Sequence, residues 1–87
     1  MTDQSVIAIV SIAAAALTMA VGAVAAALGE SRIGAAAMDA LARQPDEASS
    51  ITRTLFVSLA MVESTAIFCL VIALIVLFAN PFIAGRG

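Results

Sequence analysis

Two acidic residues in otherwise apolar stretches are the positions of this sequence that could do chemistry. Glu63 is the only formally charged residue within 55–79, and the hydroxyl-bearing Ser64 and Thr65 follow it directly. Glu30 stands at the end of an earlier apolar stretch. A charged side chain at the centre of a bilayer costs about 3 kcal/mol on insertion scales, so an acid kept at that depth indicates a functional site.

The composition is that of a membrane protein. Of the 87 residues 63% are hydrophobic and 11% are charged, and the mean hydropathy is +1.15, values unlike those of water-soluble domains. Four arginines against six acids give a net charge of −2, which leaves no basic surface for nucleic acid. With no histidine and the single Cys69 in an apolar stretch, neither a zinc site nor a disulfide framework can form.

Two stretches are long enough to cross a bilayer as helices. Residues 6–28 carry no charge and would form about 34 Å of helix, against a hydrocarbon core of about 30 Å. This stretch exceeds the roughly 7–15 apolar residues of a signal peptide, so we expect a retained span. The second stretch, about 55–79, stops at Asn80-Pro81.

A polar turn connects the two spans. Pro45 disfavours helix at itself and at Gln44, so we predict helix 1 at about 5–42, a polar loop at 43–46 and helix 2 at about 47–79, in one hairpin domain covering 1–87. Asp46, Ser49 or Ser50 would cap helix 2.

The two helices differ in side-chain size. Helix 1 is mostly alanine and glycine, with spacings such as Gly22/Ala26 that favour close helix packing, whereas helix 2 is bulky nearly all round and suits lipid contact. A lone hairpin cannot shelter its acids from lipid, but copies closed by cyclic symmetry can. We therefore predict an all-α membrane protein, a two-transmembrane-helix hairpin that assembles into a homo-oligomeric ring with helix 1 inside.

Glu30 and Glu63 are equidistant from position 46.5, so an antiparallel hairpin should place them at one level, about 24 Å from the turn. Two carboxylates that close in a low dielectric cannot both ionise cheaply, so at least one should keep a proton. This arrangement is suited to reversible protonation.

Arginine positions predict the orientation. Arg32, Arg43 and Arg53 lie between the spans, whereas the tails contain only Arg86. By the positive-inside rule, the loop is cytoplasmic and both termini lie on the outer side of a bacterial plasma (inner) membrane.

With these residues in hand, the chain closely resembles the c-subunits of the rotary F-type ATP synthases, the proteolipid family that forms the rotor ring. The resemblance rests on the small-residue first helix, the loop Ala42-Arg43-Gln44-Pro45, the sequence Glu63-Ser64-Thr65 and the ending Phe78-Ala79-Asn80-Pro81-Phe82.

The resemblance implies a non-catalytic subunit that translocates ions and couples their flow to ring rotation, with no cofactor. It implies that Glu63 is the ion-carrying carboxylate and that Arg43, Gln44 and Pro45 contact the central stalk, the gamma and epsilon subunits. The other implied partners are further copies of the chain, the a-subunit of the stator, whose arginine meets Glu63, and membrane lipids.

One departure from the family pattern concerns ring size. Many members alternate glycines in helix 1 where this chain has Ala23-x-Ala25-x-Ala27-x-Gly29. Each added methyl group should hold neighbouring helices farther apart, which predicts a ring with many copies.

The other departure concerns the ion. Sodium-binding relatives are similar in having Gln or Glu at position 30 and Glu-Ser-Thr at 63–65, so sodium at Glu30, Glu63 and Ser64 is the alternative, with Thr65 and the Met61 carbonyl in support. Those relatives carry a tyrosine hydroxyl where this chain has Phe68. A proton on Glu63 needs one acceptor, such as the Met61 carbonyl or Glu30, so we interpret the chain as a proton carrier. In having a second glutamate, Glu30, the chain also resembles the N-type subgroup of the family.

The same residues could also have purely structural roles. The chain could be a structural or pore-forming membrane hairpin in which Glu63 only pins helices together, and Ser64 and Thr65 could merely bond backbone carbonyls one turn back. An enzyme acting alone is not supported, since the sequence has no nucleophile–base pair, metal cluster or phosphate loop.

Overall fold

The structure, a computed structural model, describes residues 2–79. Helix α1 comprises Asp3–Arg43, a short 3-10 turn comprises Pro45–Glu47, and helix α2 comprises Ala48–Phe78. The two helices pack side by side as a flat antiparallel hairpin measuring 64 × 19 × 9 Å. The predicted helix stop at Asn80-Pro81, the residue Phe82 and the tail residue Arg86 lie outside the described residues.

Helix α1 is continuous over 41 residues, or about 61 Å. It starts two residues before the expected position 5 because Thr2 caps it: the Thr2 hydroxyl accepts a hydrogen bond from the Ser5 amide at 3.0 Å, which satisfies one of the free amides of the first turn. Asp3 lies in that turn, where the helix dipole favours an acid. The helix therefore extends well past its apolar section, as expected.

The turn between the helices follows from Pro45. Its ring excludes Gln44 from the helical region, and Gln44 has φ −133° and ψ 67°. Pro45 then opens the 3-10 turn, in which the Glu47 amide donates to the Gln44 carbonyl at 3.0 Å. The chain thus reverses within four residues.

The expected caps of the second helix, Asp46, Ser49 or Ser50, are wrong. No side chain caps the start of α2, because the 3-10 turn leads into the helix without a break. Ala48 is already helical and its amide donates to the Pro45 carbonyl, so a preceding carbonyl replaces a side-chain cap.

Small residues form the contact between the helices. The buried residues of α1 recur on one face, and the fully packed partner on α2 is also an alanine: Ser11, Ala15, Ala26, Ala37 and Ala73. The helices approach closely at Gly22, where an added Cβ would lie 2.7 Å from Cys69 Sγ and 2.8 Å from Cys69 Cβ. Farther along, a Cβ on Gly29 would lie 3.6 Å from Val62 Cγ1. Close helix approach through small residues is typical of membrane hairpins.

These two contacts fix the levels of all other residues in the hairpin. Gly22 is level with Cys69 and Gly29 with Val62, so the centre of the hairpin lies between Pro45 and Asp46. The midpoint of the two acids, 46.5, is one residue later than this centre, so Glu30 and Glu63 are offset by two residues instead of being level.

Both helices are suited to a membrane by length, composition and exposure. Their most apolar windows have mean hydropathies of 2.4 and 2.6, yet only 11% and 6% of those windows is buried. Core helices of soluble proteins bury such residues. These apolar surfaces therefore contact lipid or further copies of the chain.

The side chains of helix α1 include more large residues than expected. Five large side chains follow one another on the face directed away from α2, each more than half exposed: Val10, Leu17, Val21, Val24 and Leu28. We call these residues the outer row of α1. The small residues are thus concentrated on the face of α1 that contacts α2, and both helices carry large side chains on their outer faces.

Replacing Gly22 with alanine should destabilise the protein, because the added methyl group overlaps with Cys69. Overpacking costs about 1–3 kcal/mol of unfolding free energy, while alanine gains about 1 kcal/mol over glycine in a helix. Denaturation in detergent measures the change. Gly34→Ala is the matched control, since nothing lies within 4 Å of its added Cβ, and it should be neutral or stabilising.

A double-mutant cycle identifies the contact itself. Cys69→Gly removes both atoms that the new methyl group meets, so it should be less destabilising in the Gly22→Ala background than in the original protein. Additive effects of the two substitutions would show that the close contact does not form.

Candidate ion-binding site

Glu63 is the central residue of α2, with about 22 Å of helix on either side. This places its carboxyl group near the middle of a bilayer whose hydrocarbon core is about 30 Å thick. In the single hairpin its side chain is exposed. Nothing in one copy therefore encloses Glu63 on its outer side.

Glu30 lies on α1 beside Glu63. The two side chains are close enough to interact, and Glu30 is half-buried. The Gly29–Val62 contact keeps them near each other, with an offset of two residues or about 3 Å along the hairpin, because the two helices run in opposite directions. The structure therefore brings together the two acids that the sequence analysis paired.

The two carboxyl groups share one groove between the helices. Its volume is about 230 Å³, and every other residue lining it is apolar: Met19, Ala23, Ala26, Ala27, Ala66, Ile67 and Leu70. Two carboxylates in such surroundings cannot both be ionised at low cost, because each disfavours the charge on the other. The pair is suited to holding a proton or a cation between its oxygens.

The other residues expected to support the site lie outside this groove. Met61, Ser64 and Thr65 do not line it, because successive helix residues turn by about 100°. Phe68 is also outside it and 67% exposed. One chain thus supplies two carboxyl groups to the groove and none of the further oxygens that a sodium shell requires.

Ser64 and Thr65 differ in their hydrogen bonds. The Ser64 hydroxyl donates to the Ala60 carbonyl at 2.9 Å, which is the simple backbone role considered in the sequence analysis. Because its proton is engaged, its oxygen lone pairs remain available as acceptors. Within residues 2–79 the Thr65 hydroxyl has no hydrogen-bond partner.

Arg43, Gln44 and Pro45 lie exposed at the tip of the hairpin. Arg43 Nε is 3.2 Å from an Asp39 carboxylate oxygen one turn earlier, and both side chains are mostly exposed. An exposed pair of this kind contributes little to stability. The guanidinium group is therefore accessible to a partner protein.

Sequence reasoning missed a second groove, of about 370 Å³, nearer the turn. Three hydroxyl residues four apart on α2 line it, together with apolar residues of both helices: Ser50, Thr54, Ser58, Ile33, Ala36, Ala37, Ala40, Ile51 and Leu55. The four-residue spacing of these hydroxyl residues was the feature of the sequence that could have predicted this groove. No group of three or more acidic or cysteine side chains in the described part of the chain is placed to hold a metal ion.

Taken together, the hairpin and its paired acids are the features expected of a membrane protein with carboxyl groups at mid-bilayer depth. Comparison with known proteins specifies the family: the sequence model that describes the C-subunit of ATP synthase matches residues 13–76. The chain belongs to the ATP synthase C-subunit family.

Individual relatives cover most of the chain. The second of the ATP synthase c-subunits of Cereibacter sphaeroides is 57% identical over 82 residues, which are 94% of this chain and 98% of the relative. The ATP synthase c-subunit of Synechococcus sp. (strain JA-2-3B'a(2-13)) is 47% identical over 72 residues, 83% of this chain and 89% of the relative. The protein of that name from Petrotoga mobilis is 45% identical over 67 residues, 77% and 70% of the two chains.

Membership confirms the resemblance drawn from the sequence. The c-subunit is the non-catalytic membrane rotor subunit of F-type ATP synthase and needs no cofactor. Its two-helix hairpins form a ring, which is part of a complex with other ATP synthase subunits. The chain is accordingly a membrane protein. The alternative of a purely structural or pore-forming hairpin is therefore set aside.

Proposed function

We propose that this subunit carries protons by reversible protonation of Glu63 and thereby couples proton flow to rotation of the ring. The observation that carries this proposal is the pairing of Glu63 with Glu30 in one apolar groove at mid-bilayer depth. A proton needs a single acceptor, and the second carboxyl group provides one.

The mechanism follows from the cost of charge in hydrocarbon. While Glu63 faces lipid it stays neutral, because a bare carboxylate at that depth costs several kcal/mol. It ionises where the a-subunit of the stator presents an arginine and access to water. Each proton that crosses a potential of 100 mV contributes about 2.3 kcal/mol, so several transfers drive one ATP synthesis, and ATP hydrolysis can reverse the rotation.

Sodium transport is the second candidate, and the geometry of Ser64 favours it. Its hydroxyl proton is donated to Ala60, which leaves the oxygen free to bind a cation. Glu30, Glu63, Ser64 and the Met61 carbonyl would then have to combine across neighbouring copies, since one chain does not bring them together. Phe68 supplies no oxygen to such a shell, so we favour protons.

Partner contacts and orientation are parts of the same proposal. The exposed tip with Arg43, Gln44 and Pro45 would contact the gamma and epsilon subunits of the central stalk. The arginines on either side of the turn favour a cytoplasmic loop, with both termini on the outer side of the bacterial inner membrane. Helix α1 would line the inside of the ring, and α2 would face the surrounding lipid and the stator.

The first functional prediction concerns Glu63→Gln, which keeps the size of the side chain but cannot ionise. We expect ion-coupled ATP turnover to fall to background while rings still assemble. Reconstituted vesicles with a pH-sensitive dye measure pumping, and electrophoresis of the ring measures assembly. Glu30→Gln is the matched control, because its amide can still accept a hydrogen bond from Glu63, and pumping should remain measurable. Proton pumping by Glu63→Gln rings would refute the role of Glu63.

Carbodiimide labelling distinguishes the ions, since the reagent attacks a protonated carboxyl group. For a proton carrier, labelling of Glu63 should depend on pH and not on millimolar sodium chloride relative to potassium chloride. Protection by sodium would support the second candidate, and Ser64→Ala should then abolish that protection. Ser58→Ala removes a hydroxyl from the second groove only and serves as the control.

Ring size follows from the small residues of α1. Ala23, Ala25 and Ala27 are exposed in the single hairpin and so are available to contact neighbouring copies, where each methyl group adds separation that a glycine would not. We expect more copies per ring than in relatives with glycine at these positions. Mass measurement of the intact ring or electron microscopy counts the copies, and a ring no larger than that of a glycine-rich relative would contradict this.

A further inference from the structure

Three hydroxyl groups in the groove nearer the turn have no hydrogen-bond partner within residues 2–79. They belong to Ser50, Thr54 and Ser58, which line the groove at intervals of four residues and which we call the hydroxyl row of α2. A serine or threonine inside a helix commonly donates to the carbonyl four residues earlier, as Ser64 does at 2.9 Å. The hydroxyl row does not make this bond, so its donors are free to bond a group outside the hairpin.

Part of the hydroxyl row lies within the apolar section of α2. That section begins at Leu55, so Ser58 is about 5 Å inside it and Thr54 is at its edge. A hydroxyl group left without a partner in hydrocarbon is costly, because no water is present to replace the missing bond. A lipid acyl chain cannot accept a hydrogen bond, so lipid does not suit this groove.

The groove opens on the face of the flat hairpin opposite to the one that bears Glu63. Val62 marks the side of α2 that contacts α1. Successive helix residues turn by about 100°, so Glu63 is about 100° to one side of Val62, while Ser58 is about 40° to the other side. The paired acids and the hydroxyl row therefore lie on opposite broad faces of the hairpin.

A ring brings these two faces together. Copies related by rotation about one axis make head-to-tail contacts, in which one face of a copy meets the other face of the next, and the family forms such rings. Thr52 and Phe56 are turned about 80° and 120° from Val62, to the same side as Glu63. Phe56 is 65% exposed, and the Thr52 hydroxyl has no partner in the described part of the chain. Both side chains are therefore available to a neighbouring copy.

We propose that Phe56 and Thr52 of one copy dock into this groove of the next copy, where Thr52 bonds to the hydroxyl row. By symmetry, Thr52 lies at a height between Ser50 and Thr54 of the next copy. Phe56 lies between Thr54 and Ser58, about 3 Å from each along the helix axis. The groove, of about 370 Å³, has room for the phenyl ring, and hydroxyl groups commonly bond across membrane helices.

This inference assigns the contact between copies near the turn to particular side chains. It rests on ring formation by the family and goes beyond the ion-carrying role, so it does not depend on which ion is carried.

Disulfide formation between copies tests the proposal. In a Cys69→Ala background, which removes the one cysteine of the chain, Phe56→Cys is combined with Thr54→Cys and the membranes are oxidised. We expect a ladder of linked copies on electrophoresis without reductant. Residues two apart on a helix do not face each other, so the pair cannot close within one copy. Each single variant should give no ladder.

A matched pair controls for random collisions. Thr54→Cys with Ser58→Cys places both cysteines in the hydroxyl row, on one face of each copy. Neighbouring copies then present no cysteine on the face that meets this one, so no ladder should form.

The rate at which intact rings dissociate in detergent gives a second measurement. Phe56→Ala should make dissociation about ten-fold faster, because an aromatic side chain that fills a pocket dominates an interface. Phe78→Ala is the control, since Phe78 is 71% exposed and turned about 160° from Val62, away from α1. Thr52→Val, which removes only the hydroxyl, should give about a three-fold increase, and Thr52→Ser should restore the original rate.

Three results would overturn the proposal. One is an intact ring that gives no ladder with the Phe56→Cys and Thr54→Cys pair, as expected if lipid covers the groove. Another is an equally strong ladder from the control pair. The third is equal dissociation rates for Phe56→Ala and Phe78→Ala, a comparison that needs no cysteine variant to assemble.

Discussion

The approach of the two helices at Gly22 and Cys69 is the contact on which the rest of the hairpin depends. Because the Cys69 side chain packs directly against the Gly22 backbone there, the helices cannot slide along each other without a clash or a gap. That single constraint sets the level of every residue above and below it. It places Glu30 near Glu63, and it also sets the height of the hydroxyl row.

The cost of charge in hydrocarbon explains how the polar groups are arranged around this contact. The two acids face each other in an apolar groove, and the Ser64 hydroxyl bonds to its own helix, so most polar atoms at mid-bilayer depth have a partner within the chain. Within residues 2–79 the Thr65 hydroxyl has no partner, and Glu63, although it faces Glu30, has a side chain that remains exposed on its outer side in a single copy. An exposed acid at this depth is tolerated only if neighbouring subunits enclose it for most of the time.

Much of this architecture was predictable from the sequence because its causes are local. Apolar length predicts the spans, Pro45 predicts the turn, and counting from the turn predicts that Glu30 and Glu63 lie near each other. The caps of α2 were not predictable in this way, because whether Pro45 opens a 3-10 turn or a loop depends on how the two helices pack. The same uncertainty shifted the expected centre of the hairpin by one residue.

The outer row of α1 was missed for a different reason. Alanine dominates the composition of helix 1, and a composition average hides a row of larger residues on one face, such as Leu17, Val24 and Leu28. Only the observed packing shows which face is directed away from α2.

The same packing shows why a single copy is incomplete. One chain contributes Glu30 and Glu63 to the groove but turns Met61, Ser64 and Thr65 away from it. In a ring, the acids of a neighbouring copy lie at the same height by symmetry, and the proposed sodium shell would require those residues to face them. A neighbouring copy is therefore needed to shelter Glu63, which links the proposed ion binding to assembly.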